Sequence, residues 1–329
     1  MKICVTGGDG FIGSHLVERL LLEGHSVRAL AQYNSFNSVG WLEESRNSAG
    51  LEIVHGDIRD TEHMSSFVDG CDSVFHLAAL IAIPHSYRAP SSYVETNVHG
   101  TLNLLNASRR AGVKRFVQTS TSEVYGTALK VPISEEHPLQ PQSPYSASKI
   151  SADALAQSYW SSFELPVVTI RPFNTFGPRQ SLRAVIPTIL AQVIDGADSI
   201  HLGSISPTRD FTYVDDTVSG FLAALQAERV DGEVINLGTG FEISIGELVA
   251  LIGEIFGRKI CVETDSDRLR PSGSEVERLL SDNRKAKALL GWEPSLAGRE
   301  GLKEGLIRTI SWLQPMVEDG SYQASTYVR

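Results

Sequence analysis

The sequence predicts a doubly wound parallel α/β sheet carrying a smaller α/β lobe, and three observations point there. A short apolar run, KICVT at 2–6, leads straight into a glycine turn that opens a segment of helical periodicity. Short apolar runs then alternate with helical segments as far as Pro172, the order that builds a parallel sheet with helices on both faces. Beyond Gly177 the alternation loosens and the turn and Arg content rises. The expected division is a sheet domain over 1–175, with a returning segment at about 210–236, and a lobe made of 176–209 and 237–329.

The glycine turn reads GGDGFIGSH and is followed by LVERLLLEGH. Gly8, Gly10 and Gly13 satisfy G-x-G-x-x-G, and Gly7, Gly10 and Gly13 satisfy G-x-x-G-x-x-G. Glycines here let the backbone turn tightly and approach a pyrophosphate, whose charge is stabilised at the helix N-terminus. The motif alone is weak, but after a strand and before a helix it predicts a dinucleotide-binding Rossmann domain. The second strand, HSVRAL at 25–30, is expected to end on an acid that grips the adenine ribose, yet Ala31, Gln32 and Tyr33 follow. Gln32 can hydrogen-bond a ribose. No Arg follows the strand or sits in the glycine turn, and Asp9 would repel a 2′-phosphate placed near it. The pattern favours NAD and leaves NADP open.

LEIVHGDIRD at 51–60 reads as the third strand, with Asp57 and Ile58 at its C-terminal end, where this fold has its ligand crevice. Asp57 is either an adenine contact or a plain turn aspartate, and spacing leaves both readings open. CDSVFHLAAL at 71–80 is the fourth strand; after Leu77, its small Ala78 and Ala79 permit close approach of a cofactor, and His76 reads as a packed strand histidine. The expected cofactor contacts are Gly7, Gly10, Phe11, Ile12, Gly13, Gln32, Asp57, Ile58, Leu77, Ala78 and Ala79, joined by Tyr145 and Lys149 from further along the chain. An amphipathic helix over 91–112 ends at Gly112, and its Asn97 reads as a structural hydrogen-bonding group. KRFVQTSTSEVYG at 114–126 is the fifth strand. On a strand Thr121 and Glu123, two apart, share one sheet face.

After a Pro- and Gln-rich loop comes a long helix carrying Tyr145 and Lys149, four apart and so on one face. A lysine cation beside a phenol favours the phenolate and makes a base usable near neutral pH. With Thr121, Ser122 and Glu123, the stretch holds hydroxyls, a carboxylate, a phenol and an ammonium. PVVTIRP at 166–172 is the sixth strand. HLGSISPTRDFTYVDDTVSGFLAAL at 201–225 reads as strand, loop and a helix returning to the first domain, and IGELVALIGEIFG at 245–257 as a helix. The stretch from Glu318 to Arg329 is polar and expected to be loosely ordered.

Bulk properties narrow the function classes. The chain has 329 residues, 42% hydrophobic and 21% charged, an ordinary globular composition for one large or two moderate domains. Its net charge of −10, without like-charged blocks, argues against a nucleic acid or an anionic membrane as partner. Cys4, Cys71 and Cys261 are an odd, widely spaced trio that implies no disulfide framework or zinc site, so no metal is expected and a reducing compartment fits. A strand beginning at Lys2 leaves no room for a signal peptide, and no apolar stretch approaches the length of a membrane span. A cytoplasmic protein is expected.

TGGDGFIG, GDI at 56–58, HLAA at 76–79, TSEVYG at 121–126, YSASK at 145–149, RPFNTFGPR at 171–179 and RDFTYVDD at 209–216 together resemble the extended short-chain dehydrogenases that act on nucleotide sugars. The resemblance covers nearly the whole chain. TSEVYG is similar to two subgroups, the 4,6-dehydratases, which usually read T-D-E, and the UDP-glucuronate decarboxylases, which read T-S-E. The segment AQYNSFNSVGWLEE at 31–44, with PRQSLRAVIPTIL and GSISPTRDF, is most similar to N-acetylglucosamine-nucleotide 4,6-dehydratases of legionaminic-acid-type pathways.

The resemblance implies a redox-neutral cycle on a nucleotide sugar. Hydride leaves C4 for the cofactor while Tyr145 takes the C4 hydroxyl proton, assisted by Thr121 and Lys149. Glu123 removes the C5 proton, water leaves from C6, and hydride returns to C6. Ser122 departs from the T-D-E pattern, so the acid that protonates the leaving hydroxyl is either Glu123 itself or a relaying water. Asn174, Arg209 and the Arg270–Glu275 pair are implied contacts of the diphosphate and nucleoside, with Arg179 as a further candidate, and Ser86 and Arg88, after the fourth strand, are candidates to line the sugar pocket. A homodimer is implied as well. The alternatives are a decarboxylase, a 4-epimerase in which Glu123 has no task, and a nucleotide-sensing binding protein on the same fold.

Overall fold

A computed structural model describes residues 1–320. In chain order its elements are β1 (Lys2–Thr6), α1 (Phe11–Leu22), β2 (Ser26–Gln32), β3 (Leu51–Gly56), α2 (Thr61–Val68), β4 (Ser73–His76), α3 (Ile83–Arg88), α4 (Pro90–Tyr93) and α5 (Gly100–Ala111). There follow β5 (Arg115–Thr119), α6 (Pro144–Phe163), β6 (Val167–Pro172), β7 (Asn174–Phe176), α7 (Val185–Ile194), β8 (Ser199–Leu202), β9 (Thr208–Tyr213) and α8 (Val214–Gln226). The chain then forms β10 (Val234–Leu237), β11 (Glu242–Ser244), α9 (Ile245–Phe256), β12 (Cys261–Thr264), α10 (Arg284–Leu290) and α11 (Gly298–Glu318). The polar stretch beginning at Glu318 lies, beyond Gly320, outside the described residues.

Seven parallel strands form the main sheet in the order β10-β6-β5-β4-β1-β2-β3. The order reverses at β1, so a crevice opens beyond the C-terminal ends of β1 and β4, the place where such sheets bind ligands. The central strands are buried on both faces, which is why their sequences run apolar rather than alternate. The chain leaves the sheet after β6, builds β7 to β9, and returns: α8 packs on α1, and β10 pairs with β6 in the register Val234↔Thr169. Outside the main sheet, β11-β9-β7 make a three-stranded sheet and β12-β8 a parallel pair.

Three segments differ from expectation. The helix foreseen over 91–112 begins at Pro90 and contains a turn of π-helix at Val94–His99. That wider turn carries Asn97, which accepts from the Leu80 N–H at 2.8 Å and donates to the Leu80 carbonyl at 2.9 Å and to Ser148 Oγ at 2.9 Å. The fourth strand stops at His76; the Leu77 N–H still reaches the Thr6 carbonyl at 3.2 Å, and Thr6 Oγ1 accepts the Ala78 N–H at 3.1 Å where the ladder ends. The fifth strand stops at Thr119, and Ser122–Tyr125 form a single 3-10 turn. Thr121 and Glu123 are therefore not alternate residues of a strand.

Candidate active site

The glycine turn is built for a close backbone approach. Gly7 has φ +68°, and a Cβ there would lie 2.8 Å from Ala78 N; a Cβ on Gly13 would lie 2.0 Å from the Gly7 carbonyl oxygen. Gly10 caps α1 with no side-chain hydrogen bond, and the first turn holds no acid. The first N–H groups of a helix have no intrahelical acceptor, so this open cap suits an anionic group. With Phe11 and Ile12 half-buried behind it, the cradle fits the pyrophosphate of a dinucleotide.

Around that cradle the other expected contacts divide. Gln32 ends β2 with its side chain exposed. Leu77, Ala78 and Ala79 lie half-buried just past the end of β4. Asp57 accepts from Arg59 through Nε at 3.0 Å and Nη2 at 2.5 Å, and this guanidinium holds its carboxyl below the usual range. Ile58 is buried against Gly100, where a Cβ would lie 2.5 Å from Ile58 Cδ1.

The catalytic strip is assembled by a turn and a helix. Thr121 caps the 3-10 turn, its Oγ1 accepting from the Glu123 N–H at 3.2 Å, so one turn brings both side chains to the end of β5. Ser122 is buried. Helix α6 starts from Pro144 behind a capping box in which Ser143 and Ser146 satisfy each other. Its inward face presents Tyr145, Lys149 and Asp153 at four-residue spacing, all buried. The Tyr93 ring stands edge-on to Tyr145 with centroids 6.3 Å apart.

Electrostatics in the strip correct one expectation. Lys149 was expected to lower the phenol; instead burial drives the Tyr145 phenol above its ordinary value, the Thr121 hydroxyl pulls it back, and Glu123 adds to the rise. Lys149 is itself pushed down to about 8 by burial, against the opposing pull of Asp153. Its Nζ donates to the Thr119 carbonyl at 2.6 Å. Burial sets both shifts, and the opposing pulls come from Thr121 on the phenol and from Asp153 on the ammonium.

Beneath the strip lies a network that the sequence reading missed. Asp153 Oδ2 accepts from Ser120 Oγ at 2.6 Å and from Arg171 Nε and Nη2 at 3.2 and 3.0 Å. Arg171 Nη1 donates to the Tyr125 hydroxyl at 2.9 Å, which donates to Asn236 Oδ1 at 2.7 Å. The network locks α6 to the ends of β5, β6 and β10. Its one sequence signal was the spacing of Asp153, a further four residues along the face of Tyr145 and Lys149.

Strand β9 brings Arg209, and the segment after β12 brings Arg270 and Glu275, to Glu123. Arg209 Nη2 donates to Glu275 Oε1 at 3.4 Å, and Arg270 Nη1 lies 3.9 Å from both Glu275 Oε1 and Glu123 Oε2. Arg209 is lowered by burial, with Glu123 opposing and Arg270 reinforcing the shift. Arg270 Nη1 and Asn174 Oδ1 are buried without a hydrogen-bond partner among the described residues. Neither Arg179 nor Ser86 joins this group. Arg179, at φ +70°, gives its guanidinium to Ser14 at 3.2 Å and to Glu18 and Glu44 at 2.8 Å each, fastening α1 to the loop after β2. Ser86 is buried, donating its hydroxyl to the Ile83 carbonyl at 2.7 Å. Among the described residues no group of three His, Cys, Asp or Glu is placed to hold a metal ion, and no helix is long and apolar enough to cross a membrane.

The parallel sheet, the glycine turn that opens α1 and the grouping of Thr121, Tyr145 and Lys149 at the end of β5 define the short-chain dehydrogenase/reductase class. A family model described as GDP-mannose 4,6 dehydratase matches residues 4–305. The chain is 35% identical over 319 residues to a UDP-glucose 4-epimerase of Mycolicibacterium smegmatis, covering 95% of this chain and 99% of that protein. It is 32% identical over 319 residues to the dTDP-D-glucose 4,6-dehydratase of Homo sapiens, covering 94% and 89%. Among solved structures, Pal from Bacillus thuringiensis superposes with a TM-score of 0.88 at 35% identity, covering 96% and 100%. The dTDP-glucose 4,6-dehydratase DesIV of Streptomyces venezuelae, a double mutant with NAD and DAU bound, superposes with a TM-score of 0.86 at 31% identity, covering 95% and 97%. This chain belongs to the extended short-chain dehydrogenase/reductase family of nucleotide-sugar dehydratases and epimerases.

Proposed function

We propose that the protein is an NAD-dependent 4,6-dehydratase that converts UDP- or GDP-N-acetylglucosamine to the 4-keto-6-deoxy sugar. The observation that carries this reading is Glu123, a carboxylate held by the Thr121 turn beside Tyr145 and facing Arg270 across the lobes. Oxidation and reduction at C4 need no such group; removal of the C5 proton does.

NAD, when bound, supplies the hydride acceptor and the later donor. Tyr145 accepts the proton of the C4 hydroxyl as hydride leaves C4. Thr121 orients that hydroxyl and favours the phenolate form against the rise that burial imposes, and the Lys149 ammonium is held on the Thr119 carbonyl one helical turn further along α6. The C4 ketone then acidifies C5–H, Glu123 takes that proton, and the C6–O bond breaks as C5=C6 forms. Ser122 is a weak acid and buried, so the protonated Glu123 hands its proton to the departing hydroxyl, which leaves as water. Hydride returns to C6, C5 takes a proton from solvent, and Tyr145 releases the C4 proton to solvent, which closes the cycle with loss of one water overall.

Arg209, Arg270 and Asn174 hold the diphosphate and nucleoside in this reading, the guanidinium fork matching paired phosphate oxygens. The sheet domain, 1–175 with the returning 210–236, holds NAD, and the remaining segments hold the nucleotide sugar. The enzyme acts as a cytoplasmic homodimer.

Ser122 favours one second reading, the decarboxylation of a UDP-uronate, in which no hydroxyl leaves and Arg270 would hold the carboxylate. Incubation with UDP- and GDP-N-acetylglucosamine and with UDP-glucuronate, followed by mass spectrometry, tests both. Loss of water supports the dehydratase and loss of CO₂ the decarboxylase. An isomer of unchanged mass would show an epimerase, and no turnover would leave a binding protein.

A further inference from the structure

Strand β2 ends without an acid, yet a carboxylate stands at its end. It comes from the glycine turn. Asp9, between Gly8 and Gly10, directs Oδ2 to the Gln32 backbone N–H, which donates to it at 3.0 Å. The turn around Asp9 is fixed from outside: its carbonyl accepts from the Trp41 N–H at 3.1 Å, and a Cβ on Gly40 would lie 2.5 Å from the same oxygen. The loop that presses on it is itself ordered by Asn34. That side chain accepts from the Phe36 and Ser38 N–H groups at 3.1 Å each and donates to the Gln32 and Ser38 carbonyls at 3.0 and 2.8 Å.

Two sites meet at Asp9. One is the open N-terminus of α1, where a pyrophosphate is favoured; the other is the end of β2, where the ribose joined to that pyrophosphate is read. A carboxylate has acceptor capacity beyond one bond, so the bond to Gln32 leaves Asp9 able to receive a hydroxyl. A phosphate on that ribose would face it with like charge. The one guanidinium just beyond β3, Arg59, is already paired with Asp57.

We propose that Asp9 grips the adenine-ribose hydroxyls of NAD and sets the preference for NAD over NADP, a task the Gln32 side chain does not perform. The inference rests on NAD as the cofactor, and on nothing about the sugar.

Calorimetric titration of the purified full-length chain with NAD⁺ and with NADP⁺ tests it, in wild type, Asp9→Asn and Gln32→Ala. Wild type should prefer NAD⁺ by at least about tenfold, as like charges in contact require. Asp9→Asn should weaken NAD⁺, tighten NADP⁺ and cut the preference by about tenfold, while Gln32→Ala keeps it. If the asparagine chain does not fold, Asp9→Ser, which can still accept from Gln32, repeats the measurement. An unchanged preference in the Asp9 variant, equal weakening of both cofactors, or loss of the preference in Gln32→Ala instead would overturn the inference. Wild type that binds neither cofactor would overturn the cofactor reading, and the inference with it.

Discussion

The Glu123 carboxylate lies 3.9 Å from the Arg270 guanidinium, joining the turn after β5 to the loop after β12. Arg270 stands at the same distance from Glu275, which also takes a bond from Arg209. The carboxylate assigned to the chemistry therefore shares its cation with the residues assigned to the nucleotide.

Replacing Glu123 by Gln keeps the shape of the turn and removes the base. The C4 oxidation should persist, seen as absorbance of reduced nicotinamide, while exchange of solvent deuterium into C5 is lost and turnover falls by about 10²–10⁴-fold. Undiminished exchange would take the base assignment away from Glu123.

The Lys149 ammonium, pushed down to about 8, is charged below that pH and neutral above it. An activity that needs the cation should decline as pH rises through about 8. Lys149→Arg stays charged and should move that decline upward even if the rate drops. A profile of kcat/KM that keeps the same alkaline limb in the arginine variant would exclude Lys149 as its source.

Asp153 and Arg171 are both nearly inaccessible, 6% and 5% exposed at the side chain, and meet at 3.0 Å. Removing one partner leaves the other buried and uncompensated, at a cost of about 3–5 kcal/mol. Asp153→Ala should lower the urea midpoint accordingly, and the double variant Asp153→Ala with Arg171→Leu should recover part of the loss. Equal stability of the single variant and the wild type would remove the network from the account of the site.

His76 is buried between Thr6 Oγ1 at 2.8 Å and Thr101 Oγ1 at 3.0 Å, and burial depresses its pKa from 6.5 to about 3. Below pH 6.5 the unfolded chain binds a proton that the folded one refuses. The contribution of His76 is thus complete above 6.5 and lost as pH falls toward about 3, at up to about 1.4 kcal/mol per pH unit. Thermal melts of wild type and His76→Gln between pH 7 and 4 should converge as the pH drops; parallel curves would assign the acid sensitivity elsewhere.

Much of the fold was legible because local chemistry constrained it. The glycine turn at 7–13 demands a backbone without Cβ atoms, and the buried strands must be apolar on both faces, so both leave marks in the residues themselves. The Tyr145–Lys149 face was legible for the same reason: four-residue spacing on a helix is a local property. Thr121 and Glu123 were placed on a strand because Thr, Val and Tyr suit one. The Thr121 cap ended it, and a cap depends on where the pairing strand stops.

The sequence by itself determined the doubly wound sheet, the place of the glycine cradle, and the company of Thr121, Glu123, Tyr145 and Lys149. These rest on periodicity and on residues whose backbone or hydroxyl chemistry has few other uses. Tertiary structure alone decided that Arg179 fastens α1 rather than joining Arg209, that Asp153 and Arg171 support the strip, and that Asp9 stands where β2 lacks an acid. An arginine or a carboxylate carries no mark of its partner. Only the fold, by bringing distant residues within a few ångströms and excluding water from them, selects which pairing its charge will make.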